Sequence, residues 1–363
     1  MSMISNMKKT SFIENKVTNS ILYQQNNLDM RKSVRLSGIE LLRILAMILI
    51  IFGHSHLRIH HLPNSAVIEI NPIFSYLRIM TSCISVLGVN IFVAISGWFG
   101  IKFKKRGIAL YLYQVFFILW SIYFIAIVLN IADLSFSGIK TCLSFYEGYW
   151  FVMGYLGLYL ISPVLNSFIE NASKREIQII LLSYYIFQSY YSWLSGWYNY
   201  YDGYSIFLFG GVYLTSAYLK KYPINWINKN SLQIWIAIIL LMTTIAYFSL
   251  WKFGFAARQI RDDNPLVILA SVLLVIFFSK FKFQSRTVNW LAKSAFAVYL
   301  IHFNPIVYSY FMYVTKYVYK QFDGYLYSIV LIMTLLLLYL SCVLFDQIRI
   351  GSWNLLLKLK NKH

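Results

Sequence analysis

Residues 37–56 read SGIELLRILAMILIIFGHSH, and this stretch determines what kind of protein the chain is. It is an apolar run of about 20 residues, which is the length that a helix needs to cross a bilayer. It nevertheless contains Glu40, Arg43 and His54. Ionisable side chains are costly within a membrane helix, so they are candidates for function wherever they occur there. The stretch therefore predicts a spanning helix that carries chemistry.

The composition of the whole chain agrees with a membrane protein. Of its 363 residues, 59% are hydrophobic and 12% are charged, whereas roughly 25% are charged in a soluble domain. The mean hydropathy is +0.60. Continuous apolar runs favour helices over the short alternating segments of a membrane barrel. We therefore expect an all-α, polytopic transmembrane helix bundle with about ten spanning helices. The expected spans are approximately 38–57, 82–101, 108–130, 148–168, 177–195, 205–219, 232–250, 265–281, 292–313 and 325–347.

The net charge of +19 is interpreted as a membrane topology signal. Most Lys and Arg residues lie between apolar runs on the side of the N-terminus, as the positive-inside rule requires of cytosolic loops. Because they form no single basic face, a nucleic-acid partner is not expected. The charges place both termini in the cytosol and the protein in the cytoplasmic membrane. We divide the chain into a polar cytosolic tail (1–37), a membrane domain (38–347) and a basic cytosolic tail (348–363).

The spacing within the first span places two of its ionisable residues on one face. Arg43 and His54 are 11 residues apart, which at about 100° per residue leaves an offset of roughly 20° and a rise of about 16 Å. Glu40 falls on the same side and can pair with Arg43. A cation near the cytosol suits a phosphorylated ligand, and a deeper neutral imidazole suits a general base. The simpler interpretation is that Glu40 and Arg43 form an interfacial ion pair and His54 bonds a neighbouring carbonyl.

The stretch from Glu40 to His54 resembles the signature of the acyltransferase-3 family, an Arg followed by ten residues and a His in the first span. Further similar segments follow in the family's order. They are GVNIFVAISGWFGIKF (88–103), YWFVMGYLGLYLISPVLN (149–166), LFGGVYL (208–214), NPLVILASVLLVIFF (264–278) and SAFAVYLIHFNPIV (294–307). The resemblance covers nearly all of 38–347.

The resemblance implies an O-acyltransferase that uses acetyl-CoA from the cytosol as a donor substrate, with no tightly bound cofactor. The implied acceptor is a hydroxyl of a cell-surface polysaccharide or of its lipid-linked precursor. On this basis His54 is the catalytic base, Arg43 anchors CoA, and Glu40 orients or neutralises Arg43. Some family members carry an Arg-x-x-Arg element after the second span, where this chain reads KFKKRGIAL (102–110). We assign Lys105 and Arg106 to the donor, although Lys cannot reproduce the bidentate phosphate contacts of Arg.

Six further residues are candidates for the acceptor site, and all but Tyr299 have a simpler alternative. Ser96 also suits close helix packing, and Trp150 also suits an aromatic belt at the membrane interface. Arg258 and Arg261 suit an anionic acceptor, or surface pairs with Asp262 and Asp263. Tyr299 and His302 lie within a late span, and His302 serves equally well as a structural residue.

A different class of protein also fits part of this pattern. A transporter or flippase for envelope lipids or glycans would have many spans and a buried charged face. No internal repeat is visible in the sequence, which disfavours a transporter built from two repeated halves. Cys83, Cys142 and Cys342 have no metal-binding spacing, so we expect no metal site. Besides the donor and the glycan, membrane lipids are the expected partners, and the oligomeric state is not predicted.

Overall fold

The computed structural model describes residues 36–143, 149–194, 205–255 and 260–360. Every regular element in these ranges is helical. The helices are α1 (Ser37–His60), α2 (Ser65–Ile70), α3 (Pro72–Ser85), α4 (Leu87–Phe99), α5 (Lys105–Val128), α6 (Phe136–Leu143), α7 (Trp150–Asn171), α8 (Lys174–Gln188), α9 (Ile206–Lys221), α10 (Asn225–Lys229), α11 (Ser231–Phe253), α12 (Pro265–Phe278), α13 (Arg286–Lys293), α14 (Ala295–His302), α15 (Pro305–Gln321) and α16 (Gly324–Lys360). A π-helical segment, Ser189–Leu194, follows α8.

Six stretches of the described chain are helical, long and apolar enough to cross a membrane. A seventh is obtained if the bent pair Arg286–His302 and Pro305–Gln321 counts as one span. The six are Ser37–Ser55, Pro72–Phe99, Lys105–Val128, Trp150–Asn171, Ser231–Phe253 and Gly324–Leu359. The chain is therefore a multi-pass membrane protein.

The expected count of ten spans is not confirmed. The expected spans at 177–195, 205–219 and 265–281 correspond to α8, α9 and α12. These helices have 15, 16 and 14 residues, which is less than the roughly 20 residues of a full crossing. Helices α9 and α12 are largely buried inside the bundle, whereas α8 buries only Ile177, Leu181, Tyr184 and Gln188.

Two helix boundaries differ from the bounds of the expected spans. Residues 58–77 lie between the first two expected spans, but they are not a plain loop. They contain all of α2 and the start of α3. Asn64 caps α2 by accepting a hydrogen bond from the Val67 amide at 2.9 Å, and Pro72 begins α3, where a missing amide hydrogen is tolerated. The last helix does not end at 347 but continues to Lys360.

The core of the fold surrounds α4, which contacts α1, α9 and α12. Small residues allow these close approaches. Gly88 on α4 faces the Ala46 carbonyl and Ile50 of α1, and Gly97 lies directly against the Tyr213 backbone of α9. A side chain at either position would collide with its neighbour. Glycine here therefore sets the distance between α4 and the two helices that flank it.

Replacing Gly97 by Ala is expected to destabilise the protein, because the added Cβ would overlap the Tyr213 carbonyl oxygen. Overpacking of this kind costs about 1–3 kcal/mol. Gly210 on the facing helix is also buried, but a Cβ there meets no atom within 4 Å. Thermal unfolding in detergent should show a lower midpoint for Gly97→Ala and an unchanged or higher midpoint for Gly210→Ala. Equal midpoints for the two variants would contradict this packing.

The expected span 292–313 is broken in its middle. Helix α14 ends at His302, and α15 leaves at an angle of 91° after Pro305. Pro305 has no amide hydrogen to continue α14, and Asn304 starts α15 by accepting a hydrogen bond from the Ile306 amide at 3.1 Å. Non-helical backbone at membrane depth is tolerated where protein covers it or where it lines a cavity. The break therefore leaves His302 at a helix end inside the bundle.

Candidate functional site

Helix α1 holds the two residues on which the sequence argument rests. It runs without a break from Ser37 to His60, so Arg43 and His54 keep the three-turn separation that the spacing predicts. Arg43 Nη1 donates to Glu40 Oε1 at 2.7 Å. Glu40 is 5% exposed, and the expected pair is therefore present. Because the Arg43 side chain remains 33% exposed, part of its guanidinium is still available to a ligand.

His54 meets His302, which is 248 residues away in the sequence. Nδ1 of His54 lies 3.0 Å from Nε2 of His302. Nδ1 of His302 lies 2.7 Å from the Val298 carbonyl oxygen, one turn earlier on α14. His302 is 0% exposed, and the Phe303 ring packs against His54 with 4.9 Å between the centroids.

These distances assign the hydrogens of the pair. A carbonyl oxygen only accepts, so Nδ1 of His302 carries a hydrogen and donates it to Val298. An imidazolium enclosed by apolar rings would be costly, and we therefore take both rings as neutral. Nε2 of His302 is then an acceptor, and Nδ1 of His54 donates to it. Nε2 of His54 retains its lone pair and is the atom that can accept a proton.

A small cavity of about 30 Å³ adjoins His54. We call it the histidine cavity. Its walls come from α1, α4, the start of α7, and α14. They are Met47, Ile50, His54, Val89, Phe92, Trp150, Phe151, Phe296 and Tyr299. Apart from His54 and Tyr299, the lining is almost entirely apolar.

A second cavity, of about 240 Å³, adjoins Arg43. We call it the arginine cavity. Its walls are Arg43, Phe92, Ser96, Tyr111, Phe151, Tyr155, Ala292, Lys293, Ala295 and Phe296. Three aromatic residues, Phe92, Phe151 and Phe296, line both cavities. The two cavities are therefore neighbours separated by a ring of aromatic side chains, with cations at one end and an imidazole at the other.

The other sequence candidates are distributed unevenly. Trp150 and Tyr299 line the histidine cavity. Ser96 lines the arginine cavity, where its hydroxyl lies 3.0 Å from the Tyr155 hydroxyl and donates to the Phe92 carbonyl at 2.9 Å. His302 contacts His54 directly.

Three of the other candidates that the structure describes line neither cavity. Lys105 and Arg106 are exposed at the start of α5 and line neither cavity. Arg261 makes a bidentate pair with Asp263, with distances of 3.0 and 2.8 Å. Asp263 is one of the two partners that the sequence offered for Arg261, but it is 0% exposed, so this is not the surface pair of that alternative. Arg258 lies outside the described residues.

Lys293 is not among the site residues that the sequence predicts. Lys293 ends α13 and faces the arginine cavity with Arg43. Tyr111 and Tyr155 also line that cavity and are likewise not predicted from the sequence. The hint for Lys293 was its position beside the SAFAVYLIH segment, one residue before Ser294. No local pattern in the sequence distinguishes it from the other lysines that lie between apolar segments.

The arrangement suits transfer of a group between two ligands. Two cations can hold an anionic donor at the arginine cavity, and a neutral imidazole can remove a proton from a nucleophile at the histidine cavity. The aromatic walls keep water from the space between them, which strengthens electrostatic interactions there.

Comparison with known proteins agrees with this chemistry. The family model described as an acyltransferase domain matches residues 36–352. No curated protein and no solved structure matches the chain. The family match covers all of the helices that build the two cavities, including both histidines. The chain therefore belongs to the acyltransferase-3 family and is a membrane acyltransferase.

Proposed function

We propose that this protein transfers an acetyl group from cytosolic acetyl-CoA to a hydroxyl of a cell-surface polysaccharide or of its lipid-linked precursor, in the cytoplasmic membrane. The observation that carries the proposal is that His54, whose Nδ1 contacts His302, lines a cavity adjoining one lined by Arg43 and Lys293. A base and a cationic anchor on one helix, about 16 Å apart, match a donor whose reactive thioester lies far from its phosphates.

The arginine cavity is assigned to the donor. Arg43 and Lys293 line it and would pair with the phosphates of CoA through charge-assisted hydrogen bonds. The narrow pantetheine arm would pass between Phe92, Phe151 and Phe296, which line both cavities. Lys105 and Arg106 remain proposed contacts for the part of CoA that extends into the cytosol, because both are exposed.

The histidine cavity favours the shortest acyl groups. Its volume of about 30 Å³ is only a few times the roughly 10–15 Å³ that a cavity needs to hold one water molecule. Met47, Ile50 and Val89 form apolar walls around this space. A longer acyl chain would require these side chains to move, whereas an acetyl group requires the least rearrangement.

The acceptor is assigned to the side of the histidine cavity where α7 begins. Trp150 lies there, and an indole ring offers a flat apolar face to a sugar. With the N-terminus in the cytosol, His54 is the deeper residue of α1 and is closer to the outer side. A hydroxyl that arrives from outside would therefore meet the donor at His54. Arg261 would bind an anionic acceptor only after its ion pair with Asp263 is broken.

The reaction conserves atoms and charge in a simple sequence. The oxygen of the acceptor hydroxyl bonds to the carbonyl carbon of the thioester while Nε2 of His54 takes the proton of that hydroxyl. The carbon–sulfur bond then breaks, and the CoA thiolate takes the proton back from His54. The products are an acetyl ester and CoA. A covalent acetyl-His54 intermediate is an alternative sequence that uses the same atoms.

His302 positions His54 in this mechanism. By accepting from Nδ1 of His54, it holds the tautomer in which Nε2 is the base. Replacing His302 by Leu is expected to lower kcat about 100-fold with little change in KM for acetyl-CoA, because half of the neutral tautomers then present a hydrogen to the acceptor and the ring loses its orientation. Kinetics of purified variants in nanodiscs measure both constants.

The conservative variant distinguishes positioning from packing. Gln at position 302 has a side-chain oxygen that can accept from His54, so His302→Gln should recover part of the kcat that Leu loses. If Gln and Leu lower kcat equally while both proteins unfold at the wild-type temperature, His302 does not act through the His54 tautomer.

The proposed function is tested with purified protein and radiolabelled acetyl-CoA. Membranes from the source cells supply the acceptor, and alkali-labile label in the glycan fraction measures transfer. We expect saturable acetyl-CoA binding and label that depends on the protein. Absence of both binding and turnover would overturn acetyl transfer and favour transport as the activity.

A further inference from the structure

The hydroxyl of Tyr299 is buried and has no hydrogen-bond partner among the described residues. Tyr299 is 4% exposed. Buried polar groups in native proteins are nearly always paired, and each exception needs a reason. The surrounding tyrosines follow the rule. Tyr149 donates to the Leu300 carbonyl at 3.2 Å, Tyr111 donates to the Val152 carbonyl at 2.9 Å, and Tyr155 meets Ser96 at 3.0 Å.

This unpaired hydroxyl belongs to a residue that lines the histidine cavity with His54. Tyr299 precedes His302 by three residues on α14, so one short helix supplies both. Its ring is held from several sides. It stacks on Phe303 at 5.7 Å and meets the edge of Phe151 at 5.5 Å. A ring fixed in this way cannot turn its hydroxyl to a distant partner.

The start of α7 lies beside the same hydroxyl. Its N-cap residue, Tyr149, makes no side-chain cap hydrogen bond. The backbone of Phe151, in the first turn, approaches the Tyr299 hydroxyl without meeting hydrogen-bond geometry. The first amides of a helix carry a partial positive charge that favours an anion nearby. The surroundings of Tyr299 therefore suit an oxygen that becomes negative.

We propose that the Tyr299 hydroxyl donates the hydrogen bond that stabilises the oxyanion formed from the acyl thioester. This inference rests on the proposed function and adds a catalytic residue to it. When the acceptor oxygen bonds to the thioester carbon, the electron pair of the carbonyl double bond moves onto the carbonyl oxygen, and Tyr299 donates to that oxygen. When the double bond re-forms, the carbon–sulfur bond breaks. Tyr299 keeps its proton throughout, and His54 carries the proton that is transferred.

The stability of Tyr299→Phe separates catalysis from packing. Phe keeps the ring and removes a hydroxyl that has no partner, so the variant should unfold at the wild-type temperature or above it. Tyr123→Phe is the matched control, because Tyr123 lies outside both cavities and donates to the Asp133 carbonyl at 3.0 Å. The control removes the same atom from another buried tyrosine.

The experiment measures acetyl transfer by wild type, Tyr299→Phe, Tyr123→Phe and His54→Asn in nanodiscs, with radiolabelled acetyl-CoA and acceptor membranes. Loss of one oxyanion donor typically lowers kcat about 10²- to 10³-fold. We expect such a loss for Tyr299→Phe, a wild-type KM for acetyl-CoA, and wild-type kcat for Tyr123→Phe. Binding of S-ethyl-CoA, a thioether without a carbonyl oxygen, should be unchanged in Tyr299→Phe.

Two results would overturn the assignment of Tyr299 and leave the proposed function standing. One is a wild-type kcat in Tyr299→Phe while His54→Asn is inactive. The other is a loss of S-ethyl-CoA binding as large as the loss of kcat/KM, since Tyr299 would then act on donor binding. If wild type transfers no acetyl group, the proposed function fails and the assignment fails with it.

Discussion

Cells that carry His54→Asn should lose the O-acetyl esters of their surface polysaccharide. Asn removes the only atom at this position that can accept a proton, Nε2 of His54, and leaves the fold of α1 intact. A general base contributes about 10²- to 10⁴-fold, so the transfer rate should fall by about 10³-fold. Proton NMR of the purified polysaccharide measures the acetyl content directly.

His61→Asn is the control for this variant. It is the same substitution, at an exposed position that lines neither cavity. Its backbone φ of 52° is one that Asn tolerates well. Acetylation should remain at the wild-type level in His61→Asn. Wild-type acetylation in His54→Asn, at equal protein abundance in the membrane, would exclude His54 as the base.

Replacing Arg43 by Gln is expected to raise KM for acetyl-CoA about 10- to 100-fold, which corresponds to the loss of a hydrogen bond between charged groups. The variant also leaves Glu40, which is 5% exposed, without its cation. An unpaired buried carboxylate is destabilising. Arg43→Gln alone therefore combines a binding effect with a folding effect.

The double variant Glu40→Gln/Arg43→Gln separates the two effects. It replaces the ion pair by two amides, so the protein should regain most of the stability that Arg43→Gln loses. If Arg43 binds the donor, KM for acetyl-CoA stays high in the double variant, whereas Glu40→Gln alone keeps KM near the wild-type value. A wild-type KM in the double variant would mean that Arg43 serves only to neutralise Glu40.

Arg286→Gln controls for a general loss of positive charge. Arg286 begins α13, the helix that ends with Lys293, and it is exposed and lines neither cavity. Its removal changes the net charge by the same amount as Arg43→Gln. Stopped-flow or steady-state measurements of KM should find Arg286→Gln equal to wild type.

The first helix could be predicted from the sequence almost completely. The run is apolar and contains no Pro, so it forms one unbroken helix, and the helical period places Arg43 and His54 on one face of it. The spacing of three residues between Glu40 and Arg43 explains their contact. Each of these is a local relation within one helix. Local relations depend on backbone geometry that every helix shares.

The partners of that helix could not be predicted in the same way. His54 and His302 are 248 residues apart, and only packing of α14 against α1 brings them together. Lys293 reaches the arginine cavity for the same reason. The sequence shows that His302 is an ionisable residue in an apolar segment. The helix face that His302 contacts cannot be predicted from it.

The break in the expected span 292–313 has a signal in the sequence, although the span was predicted from hydrophobicity alone. Asn304 followed by Pro305 is a typical helix start, since Asn caps the helix and Pro fits its first position. The hydrophobicity of 292–313 suggested one continuous crossing instead. The bend after His302 is what places the histidine at a helix end next to His54. Average hydrophobicity over a window cannot reveal such a break.

Membrane vesicles of known orientation test the central claim most directly. Acetyl-CoA does not cross the bilayer, so radiolabelled acetyl-CoA added to inside-out vesicles reaches the cytosolic face, where we place Arg43 and Lys293. The account predicts alkali-labile label in the glycan fraction of inside-out vesicles with wild-type protein, and none with His54→Asn or in right-side-out vesicles. Equal label in wild type and His54→Asn, or no label in either orientation of wild type, would contradict it.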